Sequence, residues 1–249
     1  MKFSNFPLIK RIIPSLRKNI RLIFGKHIFW TEIDSISYLL DIRQKQDREF
    51  YFKKKYEEDN FNFLYNNDFF NEPFIFIDIG CNIGIYTLII GKKFNNCKKI
   101  ISIEPILDAF NILKSNINKN KIDNITSAIN IALSNKDGKN RMKSFSKHNQ
   151  TQLSKFEINE NGNIEVNTKV FDNLFSFKGE YIYIKCDAEG HEDKILEGMQ
   201  KTLLNNNCLI QLEIYEKKYD KTKDILRKFK YKKIAATNEK DTYFFAKSH

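Results

Sequence analysis

Two short stretches gather acids, glycines and a histidine at spacings that suit chemistry. The first is Asp78-Ile79-Gly80-Cys81-Asn82-Ile83-Gly84. Gly80 and Gly84 permit a sharp turn and a close approach of backbone to a ligand, while Asn82 can bond polar groups of the loop or the ligand. The spacing is Asp-x-Gly-x-Asn-x-Gly, unlike the Gly-x-Gly-x-x-Gly with which dinucleotide enzymes bring a pyrophosphate to a helix N-terminus. An acid ahead of the first glycine favours a cationic or amino-acid-bearing ligand, a description that fits the sulfonium and ammonium groups of S-adenosylmethionine. A tight turn with no ligand would use the same glycines. Glu104 follows in Ser102-Ile103-Glu104-Pro105, one strand-helix-strand distance further on. An acid there can accept hydrogen bonds from both ribose hydroxyls of an adenosine. Pro105 suits the opening of a helix, and an acidic helix start is the plainer alternative for Glu104.

The second stretch holds Lys185, Asp187, Glu189, His191 and Glu192 at a strand end and helix start. That position lies on the ligand-binding rim of a parallel α/β sheet. Were the ligand of the first loop a methyl donor, transfer would be an in-line displacement that needs an acceptor held against the methyl carbon and its proton removed. His191 is a candidate base, with an intrinsic pKa of about 6.5. Asp187 is a candidate for positioning the acceptor, contacting the cofactor or, with other carboxylates, holding a divalent ion, and Glu189 stands beside it. The same residues would also cap a helix and complement its dipole. Lys185 can pair with these acids or meet an anionic substrate; Glu213, at the next strand end, and the loop residue His148 are further candidates.

These residues need a scaffold, and the hydrophobic pattern supplies one. Phe74-Ile75-Phe76-Ile77 is a continuous apolar run of the kind found in a central parallel strand buried on both faces. Strand and helix patterns then alternate: helix from about Ile85 to Lys93, strand Lys99 to Ile103, helix Ile106 to Asn120 and strand Ile125 to Leu133. The alternation resumes with strand Tyr181 to Cys186, helix Glu189 to Leu204, strand Cys208 to Ile214 and helix Lys217 to Phe229. A closing pair, near Lys232 to Ala235 and Thr242 to Ala246, is linked tightly enough to make the last strand antiparallel. The expected fold is α/β: a doubly wound, mostly parallel, seven-stranded sheet, with irregular strands inserted over 135–177. Residues 1–72 read as a helical extension before a catalytic domain at 73–249: Phe6 to Phe29 as basic amphipathic helices around Pro14, Ile36 to Phe70 as helix-like.

The chain of 249 residues carries a formal net charge of +11, which attracts acidic partners without choosing among phosphorylated substrates, nucleic acid and an anionic membrane. The basic N-terminal helix could lie on such a membrane or cover the edge of a core. Cys81, Cys97, Cys186 and Cys208 form no CxxC pair and have no histidine at metal-ligand spacing, so no zinc site is expected, a divalent ion is not indicated, and a reducing cytosol fits them best. The apolar stretches are too short or too broken by charge for a membrane span or a cleaved signal.

Four segments in order resemble the FkbM family of methyltransferases: Phe76 to Thr87, Ile103 to Pro105 with Asn116-Ile117-Asn118 after it, Ala132 to Ser134, and Lys185 to Glu192. The resemblance implies a class I Rossmann-like methyltransferase that uses S-adenosylmethionine and releases S-adenosylhomocysteine. It implies cofactor contacts by Asp78, Gly80, Asn82 and Glu104, with Ala132 near the adenine; Cys81, Gly84, Thr87, Pro105 and Asp187 lie in the matching segments and join that set. Cys81 stands where the family usually has alanine. It further implies O-methylation (EC 2.1.1.-) of a small acceptor, such as a sugar or phosphorylated metabolite of surface-polysaccharide or secondary metabolism. An RNA methyltransferase is the runner-up, though no Asn-Pro-Pro-Tyr-like segment and no RNA-binding module is visible. A non-catalytic binding protein on the same fold and an NAD-dependent enzyme are the remaining alternatives.

Overall fold

The computed structural model describes residues 27–143, 162, 164–239 and 241–247, and the chain divides into two compact units between Tyr56 and Glu57. The expected helices from Phe6 and the loop residue His148 lie outside the described residues, apart from the end of the former at Ile28 and Phe29, which is strand.

In the first unit the expected helical extension is replaced by an antiparallel hairpin, β1 (Ile28–Ile33) with β2 (Ile36–Asp41), followed by α1 (Lys45–Lys53). The cause is a period of two: Ile36, Tyr38 and Leu40 are buried while Ser37 and Leu39 are half-buried. Asp34 and Ser35 link the strands, both at positive φ (51° and 63°), as a two-residue hairpin turn with the right twist demands. Phe50 of α1 packs edge-on to Tyr38, ring centroids 4.9 Å apart.

The second unit begins with α2 (Glu58–Tyr65) and a 3-10 turn (Asp68–Asn71), then builds a seven-stranded sheet. Its strands are β3 (Phe74–Ile79), β4 (Cys97–Ile103), β5 (Thr126–Ile129), β9 (Tyr181–Cys186), β10 (Asn207–Glu213), β11 (Tyr231–Ala236) and β12 (Thr242–Lys247). The spatial order is β11-β12-β10-β9-β3-β4-β5, with β12 antiparallel to both neighbours as expected. The chain winds one way from β3 to β5 and the other way from β9 to β10, so the winding reverses between β3 and β9. Ligands of such sheets bind beside that reversal, beyond the carboxyl ends of the strands.

The two faces of the sheet differ. One carries Ile75, Ile77, Ile79, Ile182, Ile184 and Ile210, packed with α6 (Glu192–Glu197), α7 (Gln200–Asn205) and α8 (Glu216–Lys228). The other carries Phe76 stacked on Tyr183, centroids 4.8 Å apart, and above them a polar row. Ser102, Asp78, Lys185 and Gln211 are register partners across β4, β3, β9 and β10, and all four are buried. Buried polar groups require partners, so the sheet commits this row to a network at the site.

Two expected elements are divided. The strand from Ile125 to Leu133 ends in the main sheet at Ile129, and β6 (Ala132–Leu133) joins β7 (Gly138–Met142) and β8 (Ile164–Lys169) in a separate three-stranded sheet of order β6-β8-β7. This sheet, with α5 (Phe171–Leu174), occupies the expected insertion. The helix expected from Glu189 to Leu204 starts at Glu192 and breaks at Gly198, where a Cβ would lie 2.4 Å from the Ser134 carbonyl oxygen. The remaining helices, α3 (Ile85–Lys93) and α4 (Leu107–Asn120), follow β3 and β4.

Candidate active site

Asp78 closes β3 with its side chain wholly buried. Its Oδ2 accepts from the Thr87 backbone N–H (3.1 Å) and the Thr87 hydroxyl (2.7 Å), and that hydroxyl is 2.7 Å from Ser102 Oγ. Among the described residues its Oδ1 has no hydrogen-bond partner. Burial pushes the Asp78 carboxyl up to about 6, against the opposing pull of Lys185 and the Thr87 bonds. Thr87 thus serves the loop through Asp78.

The glycines do a different job from the one their spacing suggests. Gly80 (φ +71°) donates its N–H to Ile103 O at 2.9 Å, and a Cβ there would lie 1.9 Å from the Asp187 carbonyl oxygen. A Cβ at Gly84 (φ +87°) would lie 2.4 Å from Leu113 Cδ1. The missing side chains therefore let the loop meet the end of β9 and the helix α4. Cys81 donates its N–H to Ile103 O and is buried. Asn116 of α4 donates to Ile83 O at 2.9 Å, which explains an asparagine at that position. We expect Gly80→Ala to cost about 2 kcal/mol or more through clash and a left-handed backbone. Gly179→Ala, also at positive φ but with open space around it, should cost only the backbone share of about 1 kcal/mol. Chemical denaturation of both variants checks this, and equal losses would show that the Asp187 approach carries no constraint.

Glu104 sits one strand over, buried, with both oxygens bonded to backbone. Oε2 accepts from Asn82 N–H and Oε1 from Ile106 N–H, each at 2.8 Å. Burial pushes its carboxyl up to about 7, with the two N–H bonds opposing. Asn82 is held in the left-handed region (φ 51°) and is half-buried, as is Pro105. Asn130, which the sequence reading passed over, donates to Glu104 O and Pro105 O and clamps this turn. Ala132 is buried in a small cluster with Ile106, Ala109, Met142 and Val166.

At the end of β9 the acidic stretch splits into an outward and an inward set. Asp187, Ala188, Glu189 and Gly190 are half-buried, and Asp187 Oδ2 lies 3.6 Å from Lys185 Nζ. Burial opposes a charge on Lys185, but Asp187, Glu57, Asp78 and Glu213 outweigh it and hold the ammonium well above the ordinary lysine range. Burial also pushes Glu189 up to about 7, while the Tyr215 hydroxyl that donates to it pulls the other way. Burial and then Asp187 push Glu213 up to about 9. His191 and Glu192 turn into the protein. The His191 ring meets Ser134 Oγ at 3.1 Å, and burial lowers its pKa to about 4. Glu192 Oε1 accepts from Ala188 N–H and Gly190 N–H, both at 3.0 Å, closing the turn in which Glu189 and Gly190 have positive φ.

Sequence reasoning missed Glu57, Tyr86 and Gln211. Tyr86 of α3 donates to Glu57 Oε2 (2.6 Å) and accepts from Gln211 Nε2 (2.9 Å). No motif marks Glu57; Gln211 has the strand period, two residues before Glu213. Among the described residues no group of three or more His, Cys, Asp and Glu is arranged to hold a metal ion, and no helix is long and apolar enough to cross a membrane. The arrangement can surround a positively charged ligand with desolvated carboxyls and present acids to a neighbouring group.

A family model described as the methyltransferase FkbM domain matches residues 78–235. No curated protein matches the chain. Among solved structures, an FkbM methyltransferase from Methylobacillus flagellatus is similar at 14% identity and a TM-score of 0.47, covering 71% of this chain. The present chain spans 44% of that protein's length. TYW2 of M. jannaschii, solved in complex with AdoMet, is similar at 15% identity and a TM-score of 0.45, covering 88% of this chain and 84% of its own. The tRNA methyltransferase TrmK of B. subtilis is similar at 12% identity and a TM-score of 0.45, covering 77% and 65%.

Proposed function

The chain belongs to the FkbM methyltransferase family, and from that premise we propose that it transfers a methyl group from S-adenosylmethionine to an oxygen of a small acceptor. One observation carries the cofactor reading. Asp78 and Glu104 are buried carboxyls at the ends of adjacent strands beside the winding reversal, and Asp78 Oδ1 has no partner among the described residues. Buried acids pushed up to about 6 and 7 gain most from a ligand that brings positive charge and hydroxyl donors. These residues fit an adenosyl sulfonium. Glu104 would take the ribose hydroxyls, for which each carboxylate oxygen retains a free lone pair. The loop Gly80 to Gly84, with Thr87 behind it, would carry the rest, Pro105 and Ala132 would lie on the adenine side, and Asp187 would close the site. The cofactor supplies an activated methyl group on sulfur; the chain supplies position and proton handling.

Asp187 and Glu189 are the rim acids we place against the acceptor. His191, bonded to Ser134 and weakened as a base by burial, fits a structural role better than proton removal at neutral pH. The acidic rim suits a neutral, hydroxyl-bearing acceptor such as a sugar over the phosphorylated one suggested by net charge. We place the chain in the cytosol on its four unpaired, buried cysteines.

Calorimetry with S-adenosylmethionine, S-adenosylhomocysteine and NAD tests the reading. The first two should bind and NAD should not; tight NAD binding with no response to the methyl donor would overturn it. A tritiated-methyl assay on cell extracts and sugar nucleotides identifies the acceptor. Asp187→Ala should then lower turnover about tenfold or more, a larger loss than that of donor affinity.

A second reading, an RNA acceptor, is favoured by one observation. Lys217, Lys221, Lys223, Arg227, Lys228 and Lys233 are exposed along α8 and β11, the helix that starts at the rim residue Tyr215. RNA binding that weakens steeply with salt would support it.

A further inference from the structure

Glu57 lies outside the stretch that matches the family, yet it reaches the centre of the candidate site. Its backbone holds φ +40°, a left-handed conformation that a non-glycine residue keeps only where its surroundings impose it, and such strain gathers at functional sites. Its Oε2 accepts from Tyr86 Oη at 2.6 Å and from Asn60 Nδ2 at 2.8 Å. Tyr86 is stacked on Phe61 with centroids 4.6 Å apart, and its hydroxyl also accepts from Gln211. Over the Tyr86 ring, 4.8 Å from its centroid, stands the Lys185 ammonium, which faces Asp187 Oδ2 at 3.6 Å.

The physics links these contacts in one direction. A phenol that donates to a carboxylate becomes richer in electrons, and its ring face then attracts a cation more strongly. Glu57 adds a direct pull on Lys185 through its own charge. Gln211 and Phe61 hold the ring in place, so the ring cannot follow the ammonium and must instead fix it.

We propose that Glu57 is a positioning residue: through Tyr86 it holds the Lys185 ammonium against Asp187 and so sets the rim carboxylate that meets the methyl acceptor. This rests on the reading of Asp187 given above. Glu57 bonds Tyr86 and Asn60, whereas Asp78 is held by Thr87 and Glu104 by Asn82 and Ile106, so the proposed role differs from that of the carboxyls assigned to the donor.

The test uses the full chain labelled with 15N-lysine. In the parent, the Lys185 Nζ resonance should be protected from exchange and shifted by the Tyr86 ring. In Glu57→Gln, which keeps the size and removes the charge, that resonance should move toward the ordinary lysine position, and Glu57→Asp should restore part of the shift. Affinity for S-adenosylmethionine should stay within about twofold, while turnover of the acceptor found by the tritium assay should fall about tenfold, with donor KM unchanged. An unmoved Lys185 resonance in folded Glu57→Gln overturns the proposal, as does a parallel loss of donor affinity. If Glu57→Gln does not fold, Tyr86→Phe keeps the ring, cuts the phenol link and must give the same signals. Failure of the parent to bind the methyl donor would instead sink the functional reading, and the resonance would still report on Glu57.

Discussion

Lys185→Met should destabilise the protein by about 3–5 kcal/mol, the usual cost of removing one partner from a buried ionic cluster. Methionine matches the aliphatic stem and still packs on Tyr86, so little of the loss would come from a cavity. What is lost is the cation that Asp187, Glu57, Asp78 and Glu213 surround. For a chain of this length that corresponds to a drop in Tm of about 10 °C. The loss should depend on pH, with a definite sign. Asp78 and Glu213 are already raised to about 6 and about 9, above their unfolded values of about 4. A carboxyl raised on folding binds a proton as the chain folds, so its unfavourable effect grows as pH rises through that interval. Removing Lys185 raises these groups further. The gap between variant and parent should therefore be widest above about pH 8 and narrow toward pH 5, where the folded state holds the acids protonated. Calorimetric melts at the two pH values decide this, and a gap that is constant or absent would show that Lys185 does not neutralise the cluster.

The same cluster shows why the site was only partly legible in the sequence. Asp78, Glu104 and Asp187 could be found because strand periodicity locates strand ends, and strand ends of a parallel sheet define the rim. The direction of each side chain within a turn was beyond that reasoning. His191 and Glu192 follow Glu189 and Gly190, two residues at positive φ, and that turn carries them inward to Ser134 and to the backbone of Ala188 and Gly190. Gly80 and Gly84 were found for their conformational freedom, but the atoms that require it, the Asp187 carbonyl and Leu113, are distant in sequence. Glu57 was invisible for the same reason: its partner Tyr86 lies 29 residues away, and Gln211, which bonds Tyr86, lies 125 residues beyond that. The helical patterns expected up to Phe29 and from Ile36 onward give way to a hairpin over Ile28–Asp41, whose turn, Asp34-Ser35, carries no glycine and whose alternation spans only six residues a side. The seven-stranded, mostly parallel sheet and its antiparallel last strand followed from pattern because continuous apolar runs and short closing links leave few topologies, whereas the spatial order of the strands came only with the structure.

Glu104→Ala should lower affinity for S-adenosylmethionine by roughly a hundredfold or more. Two hydrogen bonds to a charged acceptor are worth about 1.5–3 kcal/mol each, so losing both removes at least about 3 kcal/mol. A second loss works in the same direction. Glu104 accepts the N–H of Asn82 and of Ile106, so without it the loop and the following helix start would lose a common anchor, and ordering them would be charged to binding. Glu104→Gln separates the two effects. The amide keeps one acceptor oxygen for the backbone but cannot take two hydroxyl donors on both sides, so it should recover part of the stability and little of the affinity. The parent should show the complementary pH dependence. Its Glu104 carboxyl is raised to about 7 when no ligand is present, and a ligand that donates hydrogen bonds to it favours the ionised form. Binding would then release a proton, and affinity should fall as pH drops below about 7, a slope that Glu104→Gln should flatten. Calorimetry in two buffers of different ionisation enthalpy measures that proton directly. Parental affinity in Glu104→Ala, or no proton released in the parent, would remove Glu104 from the donor site and leave Asp78 alone unable to account for it.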